Sequence, residues 1–250
     1  MSTPSLYRRP LPPGLVDFSS PEGRALLAEV LLAGTGQAFF PLVANLHTQA
    51  QPAWCGQGTL VTVLNALGVD PGRNWKGPWR WFGEELLDCC KSLELAAAEG
   101  LVLDEVACLA RCNGGAVELQ RALPENEAAF RAALEASVRA PLGPFLVAAY
   151  DRAGLGQTGT GHYSPVGAWH AERDLVLILD VARFKYPPHW APVSALWEAM
   201  QGVDPSTGQP RGWLLISRAE HPEVDPVEAK ALADRLCALG SDKVQQEVPG

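Results

Sequence analysis

The sequence predicts an α+β fold, with helices gathered in the first half of the chain and strands in the second. Three observations carry that prediction. Apolar residues in the first half recur at helical spacing, as in Leu60, Val63, Leu64 and Leu67. From residue 144 onward the apolar stretches are short and strand-like: PFLVAAY, HYSPVGAW, LVLILDVA and GWLLISR. The two kinds of element do not alternate as they would around a parallel sheet. A chain of 250 residues, 47% hydrophobic, is long enough to bury a substantial core.

The elements follow in chain order. Residues 1–20 are rich in proline and read as an irregular arm. Pro21-Glu22 opens a helix to about Leu32, because proline and an acid suit a first turn. After the Gly34–Gly36 break, AFFPLVANL is expected to be extended. Pro52 disfavours helix at the residue before it, so the next helix starts at or beside Cys55 and stops at Gly68. GRNWKGPWRWFGEELLDCC, with Trp75, Trp79, Trp81 and Phe82, is expected to form a packed turn. Helices are expected over 84–98, 104–112 and 124–139, then the four strands, then a polar tail from His221 with a helical segment at 226–239.

Composition narrows the function classes. With 20 basic and 28 acidic residues the net charge is −8, and no Lys/Arg run occurs, which argues against a nucleic-acid partner. The opening MSTPSLYRRPLPPGL has no secretory h-region, and no apolar stretch approaches the length of a membrane span. Six cysteines in such a chain suggest reduced thiols and a cytoplasmic setting rather than a disulfide framework.

Cys55 lies where a loop becomes a helix. The helix N-terminus favours an anion there and eases loss of the thiol proton. The plainer alternative is a buried cysteine that happens to begin a helix. HYSPVGAW and LVLILDVA, separated by the polar HAERD, form a hairpin signal. A turn centred on Ala171 sets His162 directly opposite Asp180, where the carboxylate orients one ring nitrogen and leaves the other to act. Ordinary strand-edge roles for both are the alternative. Gly159 and Gly161 beside His162 leave room for a substrate, and Gln49, six residues before Cys55, offers a side-chain N–H to an oxyanion. Gln, Cys, His and Asp in this order follow the logic of a thiol nucleophile with its base.

Three long segments resemble the catalytic domain of the phytochelatin synthase family, in the papain-like clan: PAWCGQGTLVTVLNALGVDPGRNWKGPWRWFGEELLDCC, CLARCNGG and QTGTGHYSPVGAWHAERDLVLILDVARFKYPPHWAPVSALWEAM. The resemblance implies a papain-like fold, with a helical lobe carrying the nucleophile and an antiparallel sheet lobe carrying His and Asp. It implies a catalytic domain over 1–220, a C-terminal extension over 221–250, and the roles nucleophile for Cys55, base and acid for His162, orienting acid for Asp180 and oxyanion donor for Gln49. The implied reaction transfers the γ-glutamylcysteinyl group of glutathione, through a thioester on Cys55, to a second glutathione or a phytochelatin. Glutathione carries two carboxylates, so Arg183, Lys185 and Arg152 are candidate anchors, with solvated surface charges as the alternative. No resident cofactor is implied. Heavy-metal ions (Cd, Zn, Cu) enter as metal–glutathione thiolates, and a homodimer is in keeping with the family. Cys89, Cys90, Cys108 and Cys112 offer soft-metal ligands, though their spacing matches no zinc pattern and also suits a structural core. Two alternatives stand beside transfer: a γ-glutamyl peptidase, and a non-enzymatic thiol metal buffer. Gln57-Gly58 departs from the family's pattern, and a glycine there weakens the helix by up to about 1 kcal/mol.

Overall fold

The computed structural model describes residues 8–220. The expected tail, its helix at 226–239 and Cys237 lie outside them. The chain runs β1 (Val16–Asp17), α1 (Pro21–Ala33), α2 (Phe39–Ala44), α3 (Cys55–Ala66), α4 (Leu93–Glu99), α5 (Leu103–Cys112), β2 (Gly115–Arg121), α6 (Glu127–Arg139) and β3 (Phe145–Asp151). It continues through β4 (Gly161–His170), β5 (Leu175–Ile178), β6 (His189–Pro192), α7 (Val193–Gln201), β7 (Val203–Asp204), β8 (Gln209–Pro210) and β9 (Gly212–Arg218). Among the described residues no helix is long and apolar enough to cross a membrane.

Seven strands form one sheet in the order β1-β6-β5-β4-β3-β9-β2, every neighbouring pair antiparallel. Both faces are covered, which explains the uninterrupted apolar run of β3. Phe145, Val147 and Ala149 face a core with Leu60 and Leu64 of α3, Leu26 of α1 and Val106 of α5. Leu146, Ala148 and Tyr150 face a second core, where Phe130 of α6 stacks on Trp197 of α7 at 5.5 Å. The fold is α+β as expected.

Several expectations are corrected. AFFPLVANL contains α2, because Pro41 falls in a first turn, where its missing N–H costs nothing. The helix expected over 84–98 is a single 3₁₀ turn at Glu84–Leu86 and then α4, whose new start is set by Ser92 Oγ accepting from Leu95 N–H. The aromatic cluster is packed only at Phe82, which is buried in the core, whereas Trp79 and Trp81 are 71% and 44% exposed. Its turn is instead held by backbone bonds between Trp75, Lys76 and Trp79 and by Trp75 Nε1 donating to Glu85. Strand β2 was not anticipated. It pairs with β9 along its whole length.

The β4–β5 hairpin turns at Ala171–Asp174 rather than about Ala171 alone. Near the turn Trp169 faces Val176, and this register carried on would set His162 opposite Arg183, with Asp180 on the other face. A bulge between Val166 and Ala168 shifts the register, so Val166 faces Ile178 and Leu179 N–H still bonds Pro165 O. The ladder ends there, and Asp180 lies two residues past β5 with its carboxylate on His162. The two residues meet, but beyond the bulge and the end of β5 rather than as a directly opposed pair of the ladder.

Candidate active site

Cys55 is the first residue of α3, and Trp54 before it supplies no side-chain cap. Thr59 Oγ donates to Tyr163 O at 3.0 Å, tying α3 to β4 one residue beyond His162. The backbone N–H groups of Gly56 and Tyr163 lie on the side of the Cys55 sulfur and favour its thiolate. Cys55 and His162 line the same cleft, about 1040 Å³ in volume, together with Lys91, Glu105, Lys185 and Arg211.

His162 Nε2 lies 2.9 Å from Asp180 Oδ1. Arg152 Nη2 is 3.0 Å from Oδ1 and 2.9 Å from Oδ2 of the same carboxylate, and also 2.9 Å from His162 Nε2. The Asp180 carboxylate only accepts, so its pairing with His162 assigns the proton to Nε2 and leaves Nδ1 as the basic nitrogen, with Arg152 donating to the carboxylate rather than to the ring. Arg152, His162 and Asp180 are 3%, 4% and 0% exposed. Tyr150 presents its ring edge-on to His162 at 5.7 Å, and Ala182 N–H adds a bond to Asp180 Oδ1 at 2.8 Å.

These surroundings set the resting protonation state. Burial pushes the Cys55 thiol up, outweighing the Tyr163 and Gly56 N–H groups and the Arg152 charge. The expected lowering by the helix N-terminus is therefore corrected: desolvation wins. Burial, against the pull of Asp180 and with the push of Arg152, lowers His162 to about 4. Burial alone would raise Asp180, but His162 and Arg152 hold it below the ordinary carboxylate range. Thiol and imidazole thus rest neutral, and the proton moves as attack occurs.

A pH dependence of stability follows. A folded-state His pKa below the ordinary 6.5 means the unfolded chain takes up the proton first. The contribution is complete above about pH 6.5 and is lost as the pH falls toward 4. His189, lowered chiefly by burial, adds in the same direction. Urea midpoints should fall across that window, and a flat profile would contradict the neutral His162.

The remaining anticipated residues are placed differently. Gln49 is buried, and its Nε2 donates to Gln51 O at 2.8 Å and Pro52 O at 2.9 Å, so its amide N–H groups face its own loop. Its backbone N–H bonds Val181 O at 3.1 Å, which brings the loop beside Asp180. Arg183 is exposed and outside the cleft lining, whereas Lys185 is within it. Arg152 lines the cleft as the partner of Asp180 rather than as a separate charge. Sequence reading missed Arg211, which is buried and donates to Gly202 O and Val203 O. No local pattern marks it. Gly159 and Gly161 do open space, but for cations of the protein itself: side chains there would meet Lys185 Nζ at 2.9 Å and the Arg211 guanidinium at 3.2 Å.

Gly58 is explained by close approach. A Cβ there would lie 3.1 Å from Gln49 Cβ and 3.1 Å from Glu84 Oε1. Glu84, 3% exposed, accepts Ala50 N–H with both oxygens and so holds the Gln49 loop. Gly58→Val is expected to cost about 1–3 kcal/mol of overpacking despite its better helix propensity. Unchanged urea stability would show that the contact is slack.

The four other described cysteines do converge. Cys90 and Cys108 form a disulfide with Cα atoms 6.3 Å apart, correcting the expectation of reduced thiols throughout. Cys89, Cys90 and Cys112 place their sulfurs within 4.8 Å of one another. With Cys90 and Cys108 bonded to each other, the cluster does not offer four thiolates to one ion.

Residues 6–213 match the family described as Phytochelatin synthase. The chain belongs to the phytochelatin synthase family. Similar curated proteins are glutathione gamma-glutamylcysteinyltransferase 3 of Lotus japonicus, 51% identical over 87% of this chain and 46% of that protein, and transferase 1 of Arabidopsis thaliana, 50% identical over 87% and 45%. The glutathione gamma-glutamylcysteinyltransferase of Schizosaccharomyces pombe is 41% identical over 85% of this chain and 51% of that protein. The chain spans about half the length of the curated relatives it matches. For this member of the phytochelatin synthase family, the matched region takes in Cys55, His162, Asp180 and the cleft.

Proposed function

We propose that this protein transfers the γ-glutamylcysteinyl group of glutathione to the amine of a second glutathione or a phytochelatin, releasing glycine, with Cys55 as nucleophile. The observation that carries this reading is a thiol and a carboxylate-held imidazole lining one cleft in a chain of the phytochelatin synthase family. The arrangement suits a papain-like division of labour, a helix-borne thiol meeting a strand-borne base. His162 Nδ1 takes the thiol proton as sulfur attacks the carbonyl joining cysteine to glycine. The Cys55 N–H holds the oxyanion, joined by Gln49 once one of its N–H groups leaves its loop carbonyl. His162 then protonates the leaving glycine amine, giving the thioester. An incoming glutathione amine loses its proton to His162, attacks the thioester and regenerates the Cys55 thiol.

Lys185 and Arg211 supply positive charge along the cleft for glutathione carboxylates, whereas Arg183 would have to act from outside it. Metal ions enter on the substrate, as metal–glutathione thiolates. Reduction of Cys90–Cys108 would be needed before the cysteine cluster offered four thiolates to a soft ion. The oxidised form is a structural staple.

Intact mass spectrometry after mixing with glutathione tests the reading. A γ-glutamylcysteinyl adduct on Cys55 is expected, with longer peptides accumulating when Cd²⁺ and glutathione are both present. Glycine and γ-glutamylcysteine as sole products at every metal level would make the protein a peptidase. No adduct at all would remove the acyl-transfer reading.

A further inference from the structure

We propose that Gln157 and His189 form a buried relay that orients Arg152 against the His162–Asp180 pair, so that both act as positioning residues for the thiol chemistry. The inference rests on the reading of Cys55 and His162 given above and adds two residues that never reach the cleft.

The relay has a direction that its anchor dictates. His189 is fully buried, and its Nδ1 lies 2.8 Å from the carbonyl oxygen of Pro187. A carbonyl only accepts, so Nδ1 carries the proton. Burial keeps the ring neutral, leaving Nε2 as a lone-pair acceptor. Gln157, 4% exposed, has its Nε2 at 3.0 Å from His189 Nε2 and must therefore present N–H to it. That choice turns Gln157 Oε1 toward Arg152, whose Nη1 donates to it. The other terminal nitrogen, Nη2, is thereby aimed at Asp180 and lies beside His162 Nε2. One backbone carbonyl thus fixes an imidazole tautomer, an amide orientation and a guanidinium in sequence.

The relay matters because Arg152 has two equivalent terminal nitrogens and lines the cleft. The Tyr186 ring, 5.3 Å from its guanidinium carbon, and Asp180 hold the cation in place, and the Gln157 acceptor for Nη1 fixes the rotation that sets Nη2 on the carboxylate. Protonating His189 would set an N–H against the Gln157 N–H, rotate the amide and turn its donors on the guanidinium. The charged groups acting on His189 are Asp180, Arg152 and Asp17. Those acting on His162 are Asp180, Arg152 and Lys185. Arg152 also favours the Cys55 thiolate, so its displacement reaches both partners of the reaction.

The test uses iodoacetamide alkylation of Cys55 as a function of pH, which needs no glutathione, alongside steady-state kinetics with glutathione. Gln157→Leu, which removes both hydrogen bonds at similar volume, is expected to move the alkylation limb to higher pH. It should lower kcat roughly 10-fold with KM within about twofold, the pattern of lost orientation rather than lost binding. Gln157→Glu keeps the acceptor for Arg152 but loses the N–H to His189 Nε2, so it should restore part of the rate and stay below wild type. A wild-type alkylation profile in Gln157→Leu, or an equal loss in both variants, overturns the relay. Should Gln157→Leu fail to fold, imidazole ¹⁵N spectra of the wild-type protein decide. A neutral Nδ1–H tautomer for His189 from pH 5 to 8 supports the relay, and the Nε2–H tautomer or a titrating ring in that range overturns it. If the wild type alkylates at Cys55 but forms no glutathione adduct, the transfer reading fails while the relay is still scored by alkylation.

Discussion

Replacing Cys55 with serine is expected to lower γ-glutamylcysteinyl transfer by at least about 10⁴-fold and to abolish the mass-detected adduct. The size of the effect follows from the resting state. The thiol is neutral and buried, and the base is a neutral imidazole that releases its proton easily once charged. A serine hydroxyl is far harder to deprotonate, so a base tuned this low cannot drive its attack. The substitution removes little else: one sulfur, in a helix otherwise packed by Leu60, Val63 and Leu64. Thermal unfolding should therefore stay close to wild type while activity disappears. An adduct persisting in Cys55→Ser, carried on Cys89 or Cys112, would move the nucleophile to the cysteine cluster.

Asp180→Asn should damage both activity and stability. The amide can present either a donor or an acceptor to His162 Nε2, so the tautomer with a basic Nδ1 is no longer enforced. A loss of about 10⁴-fold in kcat is the expected scale for such an exchange. The stability effect comes from Arg152, a cation 3% exposed whose counter-charge would be gone. Stranding a buried charge costs about 3–5 kcal/mol. Urea denaturation should register that loss, and Asp180→Asn combined with Arg152→Gln should regain much of the stability without regaining activity. If the single variant is as stable as wild type, the Arg152–Asp180 pair does not carry charge.

Much of this site was legible in the sequence, and the parts that were not have physical reasons. Cys55 at a helix start could be read from Pro52 and the spacing of Leu60, Val63, Leu64 and Leu67, because local periodicity decides helices. The meeting of His162 with Asp180 was inferred from a hairpin, yet it depends on a bulge that no periodicity announces. Strand β2 alternates in burial, but the stretch after Gly114 carries no assignment from the sequence, because the glycine pair there signals only the end of a helix. The raised Cys55 thiol was misread because a helix terminus is a local effect and desolvation is a tertiary one. Arg152 reads from the sequence as a cation for a substrate carboxylate, and its pairing with Asp180 comes from the fold. Its neighbours Gln157, His162, Asp180 and His189 are spaced along one segment, and only the folded chain brings them together.

The bulge in β4 also makes the two ends of one hairpin unequal toward insertions and deletions. Residues added or removed at the tip, Ala171–Asp174, change the loop and leave both strands in phase. Losing the single extra residue near Gly167 would instead turn every side chain from Gly161 to Val166 through half a period relative to β5. The imidazole would then point to the opposite side of the sheet from its carboxylate, with every catalytic residue still present. Length variation between homologous chains should therefore be tolerated at the tip and excluded a few residues away.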